Sequence, residues 1–266
     1  MAEKVTIIFP AFNEGPNIRG AVSPLISWKK ADPENRQVII VNDGSTDATA
    51  RNVSHDIAQT GWQRLRQRIF GTPSERKYVE LINSDPVFRR NLGKGAAFLA
   101  GAKRARQLGA EILVTIDADV LDATPAKIDM MVRELRASGK DMAIANAAEY
   151  NSADGKFPGS IPKWLVGDRA IRMVTLEPLF RGKPKWVNLI QGYGMEAALN
   201  YLVRKHVVST VEFTHQPALR TEAIKTRQQK EIVKTLSLMD DRKFRADKLR
   251  ARRKKRAGLR VMQLRK

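Results

Sequence analysis

Short β-branched apolar runs alternate with amphipathic stretches along the first half of the chain. Val5-Thr6-Ile7-Ile8-Phe9 reads as a strand that passes into a Pro/Asn/Glu/Gly turn. Ile18, Val22, Leu25 and Ile26 then recur at helical spacing, with Pro24 expected to kink the helix. Val38-Ile39-Ile40-Val41 predicts a second buried strand, ended by Asn42-Asp43-Gly44. Ser45, Thr46 and Asp47 offer N-caps for a helix through about Ile57. Residues 60–77 are basic and without a clear period. Tyr78 to Ile82 reads as a strand and the Ala-rich stretch Gly95 to Leu108 as a helix.

Ile112-Leu113-Val114-Thr115-Ile116 is a further buried strand, closed by Asp117-Ala118-Asp119. Thr124-Pro125 pairs an N-cap with Pro at the first helical position. Ile128, Met131, Val132 and Leu135 carry that helix to Ser138-Gly139, and Met142 to Ala147 follows as a strand. The β-α-β-α order predicts an α/β fold, a mostly parallel sheet with helices on both faces. Ligands of such sheets sit beyond the carboxyl ends of the strands. The loops after Phe9, Val41 and Ile116 converge there.

The second half is less regular. Tyr150 to Pro162 reads as a loop, long enough for a lid or substrate loop, and Trp164 to Phe180 as an amphipathic helix. Val187 to Gln191 suggests a short strand entering Gly192-Tyr193-Gly194, Met195 to Arg204 a helix, and Val207 to Thr214 a strand. His55 and His206 fall in presumed helices as surface or packing residues. From Pro217 the pattern is helical and increasingly basic.

Charge sharpens this division. Residues 241–266 hold thirteen Lys and Arg against Asp241 and Asp247, a net +11 of the chain's +20. A folded, moderately basic domain over 1–216 followed by a basic helical tail over 217–266 is the expected organisation. No apolar run reaches the length of a membrane span. The first residues lead directly into a motif, unlike a signal peptide. The absence of cysteine excludes disulfides and thiolate metal sites and fits a reducing, cytoplasmic compartment.

The chemistry centres on Asp117 and Asp119. Two residues apart on an extended chain, both carboxylates point the same way and can share a hard divalent cation. Taken alone, the spacing also suits loop acids that cap the next helix. Gly93-Lys94-Gly95 lacks the GxxxxGK[ST] spacing of a P-loop, with Ala96 where a hydroxyl is needed.

Four motifs occur in order: Phe9-Pro10-Ala11-Phe12-Asn13-Glu14, Val41-Asn42-Asp43-Gly44-Ser45-Thr46-Asp47, Asn91-Leu92-Gly93-Lys94-Gly95-Ala96 and Asp117-Ala118-Asp119. As an ordered set over about residues 4–147 they resemble the inverting nucleotide-sugar glycosyltransferases with the GT-A fold, which include the dolichyl-phosphate mannose synthases. In the second half, Gly167-Asp168-Arg169-Ala170 and Gly192-Tyr193-Gly194-Met195-Glu196 are similar to the glucosyl-3-phosphoglycerate synthases. The resemblance implies a nucleotide-sugar half over 1–147 and an acceptor half over 148–216.

It further implies a donor-binding set of Pro10, Ala11, Phe12, Glu14, Asp43, Lys94, Asp117, Ala118 and Arg169. Pro10, Phe12, Glu14 and Asp43 would line the base and ribose pocket, and Lys94 would approach the diphosphate. Arg169 and Arg172 are candidate phosphate binders. Asp117 and Asp119 would hold Mg²⁺ or Mn²⁺, with His215, which matches the His ligand of the phosphoglycerate branch, as third ligand; Leu121 stands where the mannose synthases often place a Gln and cannot coordinate. Glu196 would be a general base for the acceptor or a partner of donor hydroxyls. Catalysis would rest on Asp117, Asp119 and Glu196.

The expected function is metal-dependent transfer of a hexose from UDP- or GDP-sugar. The acceptor is expected to be a polyprenyl phosphate at the inner face of the membrane, with residues 241–266 attracting anionic lipid. A small phosphorylated acceptor, as in the glucosyl-3-phosphoglycerate enzymes, is the alternative, and a homodimer is allowed for. A nucleic-acid-binding protein on an α/β scaffold is the reading from another class. It is disfavoured by the scarcity of aromatics in the tail, where Phe244 stands alone.

Overall fold

A computed structural model describes residues 3–56, 79–87, 89–146, 166–181, 194–203 and 205–215, all within the compact unit Met1–Leu219. The expected features at 60–77, Tyr150–Pro162, Val187–Gln191 and 217–266, the basic tail included, lie outside the described residues.

Among the described residues seven strands form one sheet: β1 (Val5–Ala11), β2 (Arg36–Asn42), β3 (Glu80–Asn83), β4 (Ile112–Thr115), β5 (Met142–Asn146), β6 (Arg169–Arg172) and β7 (His206–Glu212). Their spatial order is β3-β2-β1-β4-β6-β5-β7. β1 pairs in parallel with both β2 and β4, and β2 with β3. β6 runs antiparallel between β4 and β5, and β7 is parallel to β5. The α/β, mostly parallel GT-A class is therefore as expected. Central strands covered on both faces read as continuous apolar runs, and β1, β2 and β4 are buried through their Ile and Val residues.

The helices are α1 (Ile18–Ala31), α2 (Thr49–Asp56), α3 (Lys94–Gln107), α4 (Pro125–Ser138), the short α5 (Glu177–Phe180) and α6 (Met195–Leu202). α1 runs through Pro24 as one 14-residue helix. It buries Ile18, Ala21, Val22, Leu25 and Trp28 in the core. α4 begins as its sequence predicts: the Thr124 side chain accepts from Lys127 N–H at 3.3 Å, with Pro125 in the first turn. Its buried stripe is Ile128, Met131, Val132 and Leu135.

Two expectations are corrected. The stretch expected as a helix from Trp164 to Phe180 contains β6, a 3₁₀ turn over Met173–Leu176, and only then the short α5. β6 is buried on both faces as well as paired on both edges, so Ala170 and Ile171 carry no alternation to betray it. His206, expected in a helix, opens β7.

Gly44 has φ +71° after the end of β2, and a Cβ there would meet Arg90 C and Asn91 N at 2.5 Å. The motif loop is thus pressed against the backbone that leads into α3. Gly44→Ala is expected to cost at least about 2 kcal/mol, from the left-handed conformation and the backbone clash together. Urea unfolding measures it, and a loss under about 0.5 kcal/mol would contradict this account.

Candidate active site

β1, β2 and β4 all end on the same side of the sheet, and their loops bring the motifs together. The first two loops interlock. Asn13, with φ +56°, donates its backbone N–H to Ser45 Oγ at 3.0 Å and accepts at Oδ1 from Thr46 N–H at 2.9 Å. Asp47 accepts from Gly15 N–H at 2.9 Å and Thr49 N–H at 2.8 Å. Against the cost of its desolvation, the Thr49 hydroxyl and these amides hold the Asp47 carboxyl below its ordinary value. Glu14 donates its backbone N–H to Thr49 Oγ1 at 2.8 Å, and its carboxylate accepts from Asn17 Nδ2 at 2.9 Å. Burial pushes its pKa up, and the Asp119, Asp117 and Asp47 carboxylates add to that rise. Beside it Pro10 is half-buried, Ala11 is buried, and Phe12 is 43% exposed, a free aromatic face.

Asp43 sits differently from a residue that would simply line a pocket. It is 2% exposed, and its oxygens accept from Leu92 N–H at 3.0 Å and Gly93 N–H at 2.7 Å, with the Ser84 hydroxyl as a further donor. It fixes the entry to α3, whose first residue is Lys94. That aims the ammonium of Lys94 at Asp117 Oδ1, 2.7 Å away, and at Glu196 Oε1, 2.8 Å away. Although desolvation disfavours its charge, the Asp117 and Glu196 carboxylates drive the Lys94 pKa up strongly. Glu196, in the first turn of α6, is buried.

β4 stops at Thr115, so Asp117-Ala118-Asp119 lies in a turn and not on an extended strand, with Val120 N–H bonding Asp117 C=O at 3.2 Å. The two carboxylates still converge, now with His215. Asp117, Asp119 and His215 each offer one ligand atom, and these atoms lie within 4.8 Å of one another. His215 is delivered by an antiparallel bridge to Val120 immediately after β7. Leu121 N–H bonds Thr214 C=O at 2.8 Å, and Asp122 takes Thr214 N–H at 2.8 Å and its hydroxyl at 2.9 Å. A bulge in β7 precedes it, where Glu134 of α4 accepts from Thr210 N–H at 3.0 Å and from the Ser209 hydroxyl. Bulges of this kind re-aim strand ends at sites.

His215 Nδ1 lies 3.1 Å from Asp119 Oδ1, and Nε2 lies 2.9 Å from Asp168 Oδ2. Burial alone would discharge the ring, but its hydrogen bonds to Asp119 and Asp168 push its pKa up to about 11. Without a metal, the imidazolium is therefore one of the cations offsetting the carboxylates. Two carboxylate oxygens and an imidazole nitrogen suit Mg²⁺ or Mn²⁺. Leu121, 49% exposed, offers no ligand atom. A bound divalent ion would supply Lewis-acid stabilisation of a departing diphosphate.

Arg169 is the clearest departure from expectation. At the site end of β6 it is 0% exposed, its Nε donating to Val166 C=O at 2.8 Å and Nη1 to Asn200 Oδ1 at 2.6 Å. Burial lowers its pKa to about 10 against the pull of Glu196, Asp117 and Asp168. It stands as a buried counter-charge to Glu196, Asp117 and Asp168. Arg172 lies at the far end of the same strand, bonded to Lys140 C=O and Glu3, away from the site. Asn200 and Asp168, absent from the sequence-based set, are part of this assembly. Only the Gly167-Asp168-Arg169 motif hinted at Asp168. Gly167 itself has no room for a side chain, since a Cβ would meet Lys94 Nζ at 2.5 Å and Asp117 Oδ2 at 2.6 Å.

The profile of glycosyl transferase family 2 matches residues 6–71 and 87–204. A dodecaprenyl-phosphate galacturonate synthase of Rhizobium johnstonii is 32% identical over 167 residues, 61% of this chain and 41% of that protein. A bactoprenol glucosyl transferase of Shigella phage SfV is 25% identical over 167 residues, 61% of this chain and 44% of that protein. The chain thus spans less than half the length of these relatives. Among solved structures, glucosyl-3-phosphoglycerate synthase from Mycobacterium tuberculosis, in complex with Mn²⁺ and UDP-glucose, gives a TM-score of 0.60 at 17% identity. That likeness covers 90% of this chain and 79% of the other. At such identity it is a likeness of fold. With the profile matched over most of its length and the motifs gathered at the strand ends, this chain belongs to glycosyl transferase family 2.

Proposed function

We propose that the chain moves a sugar from a nucleoside-diphosphate donor to a phosphorylated acceptor, with Mn²⁺ or Mg²⁺ held by Asp117, Asp119 and His215. The observation that carries this reading is the gathering of that ligand set beside Lys94 at the strand ends of a family 2 fold. Glu14 and the exposed ring of Phe12 offer a hydrogen-bond acceptor and a stacking face for the nucleoside. Lys94 is placed to exchange a carboxylate partner for a diphosphate oxygen, and Glu196 to accept from a sugar or acceptor hydroxyl.

For the acceptor, a small phosphorylated acid is the first reading. Its support is the synthase of M. tuberculosis, also solved with phosphoglyceric acid, whose fold likeness covers 90% of this chain. UDP is correspondingly the favoured nucleotide and Mn²⁺ the favoured ion. A polyprenyl phosphate is the second reading, supported by the names of the R. johnstonii and phage relatives and by the basic segment 241–266. Among the described residues no helix is long and apolar enough to cross a membrane.

One set of measurements tests both. UDP with Mn²⁺ should raise the thermal midpoint more than GDP with Mn²⁺ or either alone. UDP-sugar turnover should then appear with 3-phosphoglycerate. Turnover only with a polyprenyl phosphate in anionic vesicles, lost on removal of residues 241–266, would transfer the assignment to the second reading. Absence of any metal-dependent nucleotide response would refute both.

A further inference from the structure

We propose that Asp168 is a positioning residue that decides which nitrogen of His215 faces the metal ion. The inference rests on the reading of Asp117, Asp119 and His215 as the metal-holding set. Asp168 immediately precedes β6, the strand inserted between β4 and β5, and is wholly buried. Its Oδ1 accepts from the backbone N–H of Asp117 at 2.9 Å, and its Oδ2 lies 2.9 Å from His215 Nε2. One side chain thus braces two of the three ligands, at the backbone of one and the ring of the other.

A carboxylate only accepts, so a ring nitrogen facing one carries hydrogen; without an ion both nitrogens do, and an ion held by Asp117, Asp119 and Nδ1 would leave hydrogen only on Nε2. Nε2–H therefore points to Asp168. Nδ1, 3.1 Å from Asp119 Oδ1, is left on the side where the other ligand atoms lie. A buried carboxylate behind a ligating imidazole both orients the ring and raises its basicity as a ligand. Gly167 adds to the precision: its missing Cβ lets this turn press against the Lys94–Asp117 pair.

Asp168→Asn separates this role from simple bracing. The amide keeps the shape and, with its oxygen accepting from Asp117 N–H, presents NH₂ to Nε2. The opposite amide orientation would set two donors against each other at Asp117. Nε2 must then accept, and the ring hydrogen moves to Nδ1, aimed at the ion. Both braces survive while the polarity at the ring reverses.

The test is a Mn²⁺ titration of the full chain without nucleotide, followed by electron paramagnetic resonance, on wild type, Asp168→Asn, His215→Ala and the double variant. Asp168→Asn should weaken Mn²⁺ binding about 10–100-fold, and should add nothing further in the His215→Ala background. Wild-type affinity in Asp168→Asn, or an equal loss with and without His215, would overturn the inference while leaving the metal site standing. A wild-type chain that takes up no Mn²⁺ would overturn both. Independently of any variant, ¹⁵N-histidine spectra of the Mg²⁺-loaded protein report the tautomer, with three histidines to assign. Hydrogen on Nε2 of His215 is expected, and hydrogen on Nδ1 would refute the assignment.

Discussion

Asp119→Ala should lower metal-dependent sugar transfer by about 10³-fold or more, the scale on which a site loses its principal electrostatic stabiliser, while the fold persists. The carboxylate stands in a turn beyond β4, partly exposed, and its bond to His215 Nδ1 is its side-chain hydrogen bond among the described residues. It contributes little to packing. Its removal relieves the repulsion that helps raise Glu14 but also takes away the hydrogen bond that helps hold the charge on His215, so the two effects oppose and the metal-free protein should melt within a few degrees of the wild-type temperature. What disappears is the gain in melting temperature on adding Mn²⁺, since linkage requires a site that binds the native state. Calorimetry with and without Mn²⁺, beside a donor-turnover assay, reads all three. Near wild-type transfer in this variant would refute the metal-site assignment outright.

Lys94→Met carries the second large effect, and it falls on stability. The ammonium bridges Asp117 and Glu196, and its removal strands two carboxylates in a site that is three-quarters or more buried. Breaking such a pair from one side costs about 3 kcal/mol. The folded pKa of Lys94 lies above its unfolded value, so its stabilisation is complete below the unfolded pKa and fades only as pH rises through the folded one. The deficit of the variant should therefore be constant from about pH 6 to pH 9. Mn²⁺ should shrink it, because a cation at Asp117 replaces part of the lost charge. Adding Glu196→Gln should recover a further part by removing the second stranded carboxylate. Urea unfolding of the single and double variants measures each term. A deficit that Mn²⁺ and Glu196→Gln both leave unchanged would show that the pair does not interact as described.

The legible parts of this molecule were those where a single physical signal dominates. Val38 to Val41 and Ile112 to Thr115 are apolar on both faces because helices cover both sides of the sheet, so their strands stand out in sequence. Thr124-Pro125 marked a helix start by local chemistry alone. β6 was illegible for the opposite reason: Arg169-Ala170-Ile171-Arg172 places charges at both ends of a fully inserted strand, and its pairing is set by β4 and β5. The unexpected burial of Arg169 follows from the same source. A guanidinium in a motif reads as a surface group until the fold places it behind Asp117 and Glu196 and against Asn200. Asp43 shows a further limit, because nothing local tells that its oxygens are engaged by Leu92 and Gly93, distant in sequence. The convergence of Asp117 and Asp119 was expected from an extended chain and is achieved by a turn, the right outcome by another route. His215 came from family resemblance alone; its delivery depends on the bulged end of β7 and the bridge to Val120.

His215, the third of the proposed metal ligands, lies just past the last strand among the described residues, far downstream of Asp117 and Asp119. Synthesis runs from the N-terminus, and a growing chain folds as its segments emerge. A ribosome-bound chain that already displays Asp117 and Asp119 still lacks both the imidazole and the carboxylate of Asp168 behind it. The proposed ion site can therefore be completed only after His215 has been made, and a chain interrupted before it would carry Asp117 and Asp119 without that ligand.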